Sequence, residues 1–315
     1  MMRNQSVFVS GIVFMLSILS SLLPFSASAK DTYPVISQRQ VNIGGHVFSF
    51  DLPEGFSKDL PADDMVKDLE ISSLDQFNDL IAGNILRRWW DIKEPGWFGS
   101  DLGTLMLEMS VQRIHPNTRK RLNSEPYDVT DRLGIMLAVD ELVYRRYSEH
   151  NEEVRHPDGS WNHELAYFNS GIASMLGPTL YAAQRDHIVN GQSWLRYSIS
   201  APHDAIVTSY ALPINQSFMI ELTFTYAVNH GIALQGGKRD FLRTAEDRIT
   251  NPIINSLYFE YPKDSPVKAV VEGKWLTETT DDVVRSRWQT IVKPLFGDEA
   301  YERALAEHQK LEHQP

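Results

Sequence analysis

The most regular pattern near the start of the chain is a two-residue alternation on both sides of Gly44-Gly45. Val41 and Ile43 precede the glycines, and the apolar positions after them are Phe48, Phe50 and Leu52. Alternation of this kind indicates strands with one buried face, and a Gly-Gly pair permits the positive φ angles of a tight turn. The sequence therefore predicts a β-hairpin here.

Further strands are predicted over residues 103–114, 195–199, 206–212 and 218–228, where apolar and polar residues again alternate. In the last of these, Glu221, Thr223 and Thr225 occupy the polar positions, so we expect that face to be exposed to water. A second hairpin is predicted around Asp158-Gly159.

Two segments have helical spacing instead. One begins at Thr130, a plausible N-cap, and continues for about five turns. The other follows Gly236-Gly237 and carries Phe241 and Ile249, with Pro252 expected to kink or restart it. Strands, a helix, more strands and a closing helix predict an α+β domain over residues 30–262, with a mostly antiparallel sheet and helices packed on it.

The remaining residues, 263–315, are predicted to form a helical C-terminal extension. Thr280 with Asp281 and Asp282 is a typical helix start, and Val284 and Trp288 follow at helical spacing. Because these apolar residues need a surface to pack against, we expect the extension to fold back on the domain.

Residues 1–29 have the layout of a secretory signal peptide. Arg3 precedes an apolar run from Val7 to Leu23, which is followed by Pro24 and by Ala27-Ser28-Ala29. An uncleaved signal anchor is the alternative, since the run is just long enough to span a membrane. Pro24 and the small-residue pair favour cleavage after Ala29, which would make the mature protein periplasmic or secreted.

Composition narrows the possible partners. The chain has 315 residues, a formal net charge of -11 and no cysteine. An acidic chain lacks the positive field that nucleic acid or anionic lipid would require, so we expect neither as a partner. The absence of cysteine excludes disulfides, thiol catalysis and a lipoprotein anchor, and no membrane anchor is expected after signal cleavage.

Two short segments resemble a known family. The sequence Val47 to Phe56, which contains Leu52-Pro53-Glu54-Gly55-Phe56, is similar to the hairpin exit of PsbP-like and DcrB-like domains. Leu222-Thr223-Phe224-Thr225 and the helix ending at Ile254-Asn255-Ser256-Leu257 resemble the last strand and closing helix of that family. The resemblance implies a PsbP-like α/β/α sandwich that binds other proteins, among them envelope, secretion-associated and immunity-like factors. It implies no catalytic residues.

No motif for nucleophilic, zinc-hydrolase, phosphate-loop or dinucleotide chemistry is found in the sequence, and no cofactor is expected. The nearest approach to a metal site is His156 and His163, with Asp158 and Glu164, around the Asp158-Gly159 turn. Imidazole and carboxylate side chains that converge across a hairpin suit zinc. The alternative is that they are turn and surface residues.

A segment rich in tryptophan is the candidate binding surface. Around the Pro95-Gly96 turn, the chain places aromatic side chains beside charged ones: Arg88, Trp89, Trp90, Trp97, Phe98 and Asp101. Rigid aromatic side chains with a guanidinium and a carboxylate are typical of protein interfaces. The alternative is packing, with Trp89 facing the core and Trp90 covering an edge of the sheet.

These patterns together favour a soluble periplasmic protein without enzymatic activity that binds a partner protein, of the immunity-like or secretion-associated kind. The alternative hypothesis is a periplasmic hydrolase of unrecognised type that uses acid–base pairs such as Asp158 and His163.

Overall fold

The computed structural model describes residues 34–57, 60, 62, 64–70, 81–94, 100–114, 127–132, 134–139, 141–142, 185–200, 206–234 and 236–273. In these ranges the strands form two sheets, almost entirely antiparallel, accompanied by a few short helices. The predicted antiparallel strand arrangement is confirmed, with two sheets in place of one.

The strands are β1 (Ile36–Ile43), β2 (His46–Pro53), β3 (Asp68–Leu69), β4 (Ile81–Lys93), β5 (Asp101–Arg113), β6 (Arg185–Val189), β7 (Gln192–Ser200), β8 (Ile206–Pro213), β9 (Phe218–Val228) and β10 (Tyr258–Glu260). The helices are α1, which includes residues 132, 134–139 and 141–142, then α2 (His230–Leu234), α3 (Lys238–Ala245), a π-helical turn (Glu246–Thr250), α4 (Asn251–Ser256) and α5 (Lys268–Val271).

The small sheet has the strand order β10-β2-β1-β3. Its centre is the predicted hairpin, in which Gly44 (φ 57°) and Gly45 (φ 86°) form the turn and Ile43 pairs with His46. Strand β3 is parallel to β1 and pairs with it only at Asn42 and Ile43. Most of the length of β1 therefore has a single strand neighbour among the described elements.

The large sheet has the order β4-β5-β9-β8-β7-β6, and every neighbouring pair is antiparallel. The strands predicted over 103–114, 195–199, 206–212 and 218–228 are confirmed as parts of β5, β7, β8 and β9. The tight turn between β6 and β7, Asn190-Gly191, was not among the predicted turns. Both of its residues have positive φ (50° and 78°), which the Asn-Gly signal indicates.

One face of the large sheet, called here the first face, is apolar, and its side chains contact residues of the small sheet and of the segment after β9. Leu107 and Phe224, neighbours on this face, are fully buried. The ring of Trp194 lies 6.1 Å from that of Phe48 in β2, and the Tyr226 hydroxyl lies 3.0 Å from the Thr250 hydroxyl. The two sheets and the segment after β9 thus share one hydrophobic core.

The opposite, second face carries the residues predicted to be wet, and for Glu221 that prediction is wrong. Glu221 is only 2% exposed and accepts a hydrogen bond from the Tyr197 hydroxyl. Ile135 and Met136 of α1 approach this face beside Ala211. Ala211 pairs with Glu221, so α1 lies near this part of the face, where Glu221 is an interior residue.

Helix α1 begins one residue later than its predicted cap. The Asp131 carboxylate accepts a hydrogen bond from the Gly134 N–H at 3.3 Å, which is the contact of an N-cap residue, while Thr130 donates to Asp128. The predicted length of five turns extends beyond Leu142 and lies outside the described residues.

After β10 the chain stays on the same core, where Val267 and Val271 are buried. The predicted signal peptide and residues 274–315 lie outside the described residues, and both remain predictions. Among the helices described, none is long and apolar enough to cross a membrane.

Candidate functional site

Trp90, one of the predicted binding residues, lies in the core at the end of β4. Its side chain is 2% exposed, and its indole N–H donates to the Pro53 carbonyl at 3.3 Å. The Phe56 ring meets it nearly edge-on, with the centroids 5.6 Å apart. Trp90 therefore joins β4 to the segment that leaves β2, and its ring forms part of the floor of a surface cleft.

Trp89 points to the second face and is half-buried. Its backbone carbonyl accepts a hydrogen bond from the Ser57 N–H at 2.8 Å, so the segment after β2 runs along the outer edge of β4. The packing alternative had assigned the core position to Trp89 and the edge position to Trp90, and the structure places them the other way round.

The other predicted binding residues are divided among three places. The Arg88 guanidinium stacks on the Phe56 ring at 4.9 Å and lines a second groove with Asp64. Asp101 is exposed and accepts a hydrogen bond from the Gly103 N–H at 3.2 Å. Trp97 and Phe98 lie outside the described residues, between Glu94 and Ser100.

A cleft of about 400 Å³ lies at the end of β4 and is called here the β4 cleft. Three parts of the chain line it: Pro34, Val35, Glu54 and Gly55 from the hairpin ends, Trp90, Asp91, Ile92 and Lys93 from β4, and Thr244, Arg248 and Ile249 from the closing helices. Trp90, Ile92 and Ile249 are buried and give the cleft an apolar floor. Val35 stands at its rim with 73% of its surface exposed.

The helical wall of the cleft is a π-helical turn. The Asn251 N–H bonds to the Glu246 carbonyl five residues back, and Pro252 immediately follows without an N–H of its own. The expected interruption at Pro252 thus takes the form of one wider turn within a helical segment that continues from α3 to α4. That turn places Arg248 and Ile249 in the cleft wall, and such turns occur frequently at functional sites.

Charges of both signs surround the apolar floor. Glu54 accepts hydrogen bonds from the Arg39 guanidinium at 2.8 Å and from the Ser37 hydroxyl at 2.6 Å. Asp91 and Lys93 are exposed at the end of β4. An apolar floor with a mixed polar rim is the arrangement found at protein-binding surfaces.

A second polar region lies on the second face, in the part of the sheet near α1. It contains the Tyr197–Glu221 hydrogen bond and the hydroxyl pair Ser209–Thr223, whose oxygens are 2.9 Å apart. The cavity beside Arg132 in this region has a volume of about 10 Å³. That space holds about one water molecule, so this region is interior packing and not a ligand pocket.

The predicted metal ligands His156 and His163 lie outside the described residues, as do Asp158 and Glu164. Within the described ranges, no three side chains of His, Asp or Glu are grouped so as to hold a metal ion. Two described histidines, His46 and His187, are partly buried, and burial lowers the pKa of each below its ordinary value of 6.5. The positive charge of Arg196 lowers the pKa of His187 further.

No signal in the local sequence indicated the β4 cleft as a whole. Its walls come from residues near 35, 55, 91 and 248, which only the fold brings together. The tryptophan-rich segment did indicate one wall, because Trp90 to Lys93 belong to it. No protein-family model, curated protein or solved structure matches the chain.

Proposed function

We propose that the protein is a non-enzymatic binding module that recognises a partner protein through the β4 cleft. The observation that carries the proposal is the cleft itself, in which a buried tryptophan floor adjoins an exposed aliphatic rim at Val35. Hot spots of protein interfaces have this composition, with a desolvated aromatic centre inside a polar ring.

The setting of the cleft supports the same proposal. Trp90 and Ile249 are held by the core, so the floor is rigid and loses little conformational entropy when a partner binds. The exposed charges Asp91 and Lys93 can orient a partner, because rim charges act mainly on encounter and specificity.

We propose further that the fold is a PsbP-like sandwich and that the mature protein, residues 30–315, is periplasmic or secreted. Support for the sandwich comes from the two faces of the large sheet. Phe241 of α3 lies 6.5 Å from the Tyr226 ring on the first face, and Met136 of α1 approaches the second. The signal-peptide pattern supports the location, and an immunity-like or secretion-associated role is the kind of protein binding we propose.

Affinity capture with the mature chain from an envelope extract tests the proposal. The bait is compared with Val35→Asp, which puts a charge on the cleft rim, and with Ile188→Asp on the distant strand β6. Val35 and Ile188 are both exposed aliphatic residues, 73% and 62%, so the two substitutions should disturb the fold equally little.

We expect the unmodified chain and Ile188→Asp to retain the same partner protein and Val35→Asp to lose most of it. Retention by all three baits would remove the β4 cleft from the interface. An unrelated acidic protein serves as the control bait. If the unmodified chain retained no protein in larger amounts than this control bait, the binding function itself would be contradicted.

Trp97→Ala tests the part of the predicted binding surface that lies outside the described residues. If Trp97 belongs to the interface, its truncation weakens binding by about 2 kcal/mol and leaves the melting temperature unchanged. A lower melting temperature with unchanged affinity of the folded protein would assign Trp97 to packing.

A further inference from the structure

The backbone of β1 has a defined inner and outer edge. The Glu54 N–H bonds to the Val35 carbonyl at 2.7 Å, and Ile43 pairs with His46 across the two-residue turn. Hydrogen-bonded positions alternate along an antiparallel pair, so the odd-numbered residues from Val35 to Ile43 face β2. The even-numbered residues direct their N–H and C=O groups away from β2, as the bond from the Asn42 N–H to the Lys67 carbonyl at 2.9 Å demonstrates.

Strand β3 occupies only the last part of this outer edge. It pairs with Asn42 and Ile43 and continues to the Gly44 N–H, which bonds to the Leu69 carbonyl. No described residue forms a backbone hydrogen bond with the outward groups of Ile36, Gln38 or Gln40. The edge that accepts β3 at one end is therefore open along the rest of its length, as far as the described ranges show.

The described edges of the large sheet differ from this one. Ser57 and Val66 donate to the Trp89 and Ile85 carbonyls of β4, so that edge is paired at both of these positions. The sequence of strand β6 begins with Arg185 and Asp186, and charged residues in an edge strand disfavour pairing with a further strand.

The open part of β1 has no such protection. Ile36 is 46% exposed, and Gln38 and Gln40 are exposed and uncharged. The single charge in this stretch, Arg39, lies on the other face of the strand and bonds to Glu54. An exposed strand edge of unpaired donors and acceptors is complementary to the backbone of another extended strand.

The open edge also leads directly into the β4 cleft, since Pro34 and Val35 line the cleft and Ile36 begins β1. We propose that an extended segment of the partner protein pairs as an added strand with Ile36 to Gln40 and places an apolar side chain in the β4 cleft. The segment carries no proline at the paired positions. This inference rests on the proposed binding function and names the kind of partner that the site takes.

Hydrogen exchange in the isolated mature chain tests whether the edge is open. The amides of Ile36, Gln38 and Gln40 should exchange fast, whereas those of Ser37, Arg39 and Val41, which face β2, should be protected at least tenfold more. Equal protection of both sets would show that another part of the chain already covers the edge, and would overturn the inference.

A library of random dodecapeptides displayed on phage serves as the probe for strand addition. Peptides selected on the mature chain are synthesised, and their affinity is measured for Gln38→Pro, Gln38→Thr and Val35→Asp. Proline removes only an outward N–H at an edge position, where it is tolerated, and threonine changes the side chain while keeping that N–H. Melting temperatures of the variants establish that they are folded.

We expect Gln38→Pro to weaken peptide binding about tenfold, the equivalent of one or two lost hydrogen bonds, and Gln38→Thr to leave it nearly unchanged. Normal binding to Gln38→Pro with loss in Val35→Asp would contradict strand addition and leave the cleft as a binding site. Normal peptide binding to both Gln38→Pro and Val35→Asp would contradict strand addition and also the role of the cleft. Failure to select any peptide would contradict strand addition.

Discussion

Trp89 and Trp90 are adjacent in the chain and lie on opposite faces of the same sheet. Trp90 is 2% exposed on the first face, among aliphatic and aromatic side chains, and a single backbone carbonyl satisfies its N–H. Trp89 is half-buried on the second face, where Glu108 opposes Arg87 at 3.5 Å and hydroxyl groups are paired. The two faces are thus stabilised differently, the first by apolar burial and the second by burial together with matched polar groups.

This difference shows what strand alternation does and does not determine. Alternation assigns Glu221 and Thr223 to one side of β9 and Leu222 to the other, and the structure agrees. Whether the polar side is exposed to water depends on what packs against it, and at Glu221 this side is buried, with α1 near the neighbouring Ala211. A buried carboxylate requires partners, which Tyr197 supplies in part.

The largest effect is expected on the first face. Trp90→Ala should lower the free energy of unfolding by about 3–5 kcal/mol, because it opens a cavity in a close-packed core and leaves the Pro53 carbonyl without its indole donor. Trp89→Ala, the matched control on the second face, should cost about 1 kcal/mol. Urea unfolding of both variants measures the difference, and equal costs would contradict the distinction between the faces.

A smaller effect is expected from the polar pair on the second face. Tyr197→Phe keeps the ring but removes the donor to the buried Glu221 carboxylate, so it should lower the free energy of unfolding by about 1–3 kcal/mol. Ser209→Ala, which removes one partner of a part-buried hydroxyl pair, is the milder comparison. If Tyr197→Phe were as stable as the unmodified protein, the Tyr197–Glu221 hydrogen bond would not contribute to the stability of this face.

The smallest effect is a pH dependence. Burial lowers the pKa of His46, whose ring lies 5.4 Å from that of Phe259, and of His187, which meets Tyr210 on the first face at 5.4 Å. The unfolded chain binds these protons near pH 6.5 and the folded chain only at lower pH, so stability should fall as the pH drops below about 6.5. Melting curves between pH 5 and 7.5 measure this fall.

The variant His46→Gln/His187→Gln should show a shallower fall over the same range. A fall of equal steepness in the double variant would assign the pH dependence to other groups, the carboxylates above all.

The sequence predicted local structure well where one pattern decides the outcome. The Gly44-Gly45 hairpin and strands β5 and β9 follow from alternation and turn chemistry alone. The orientation of Trp89 and Trp90 is ambiguous when counted from the start of β4, where register shifts lie on either side of Asn84 and Ile85 and Leu86 are both buried. Counting back from the buried Ile92, with no shift in between, places Trp90 in the core, and the packing alternative did not use that count.

The candidate site was predicted in part, for a similar reason. Trp90 was identified by composition, but its partners in the β4 cleft, Val35 and Ile249, are distant in sequence and have no motif of their own. The wider helical turn that carries Ile249 was anticipated only as an interruption at Pro252. A site whose residues are distant in sequence can be identified only when the topology of the fold is known.

We have proposed that the partner protein binds at the β4 cleft and the adjoining edge of β1. Hydrogen–deuterium exchange of the mature chain, with and without the partner obtained by affinity capture, tests it most directly. We expect slower exchange in the segments 34–40, 90–93 and 244–249 and no change in β6. Protection confined to β6 or to other surfaces, with these three segments unchanged, would contradict it.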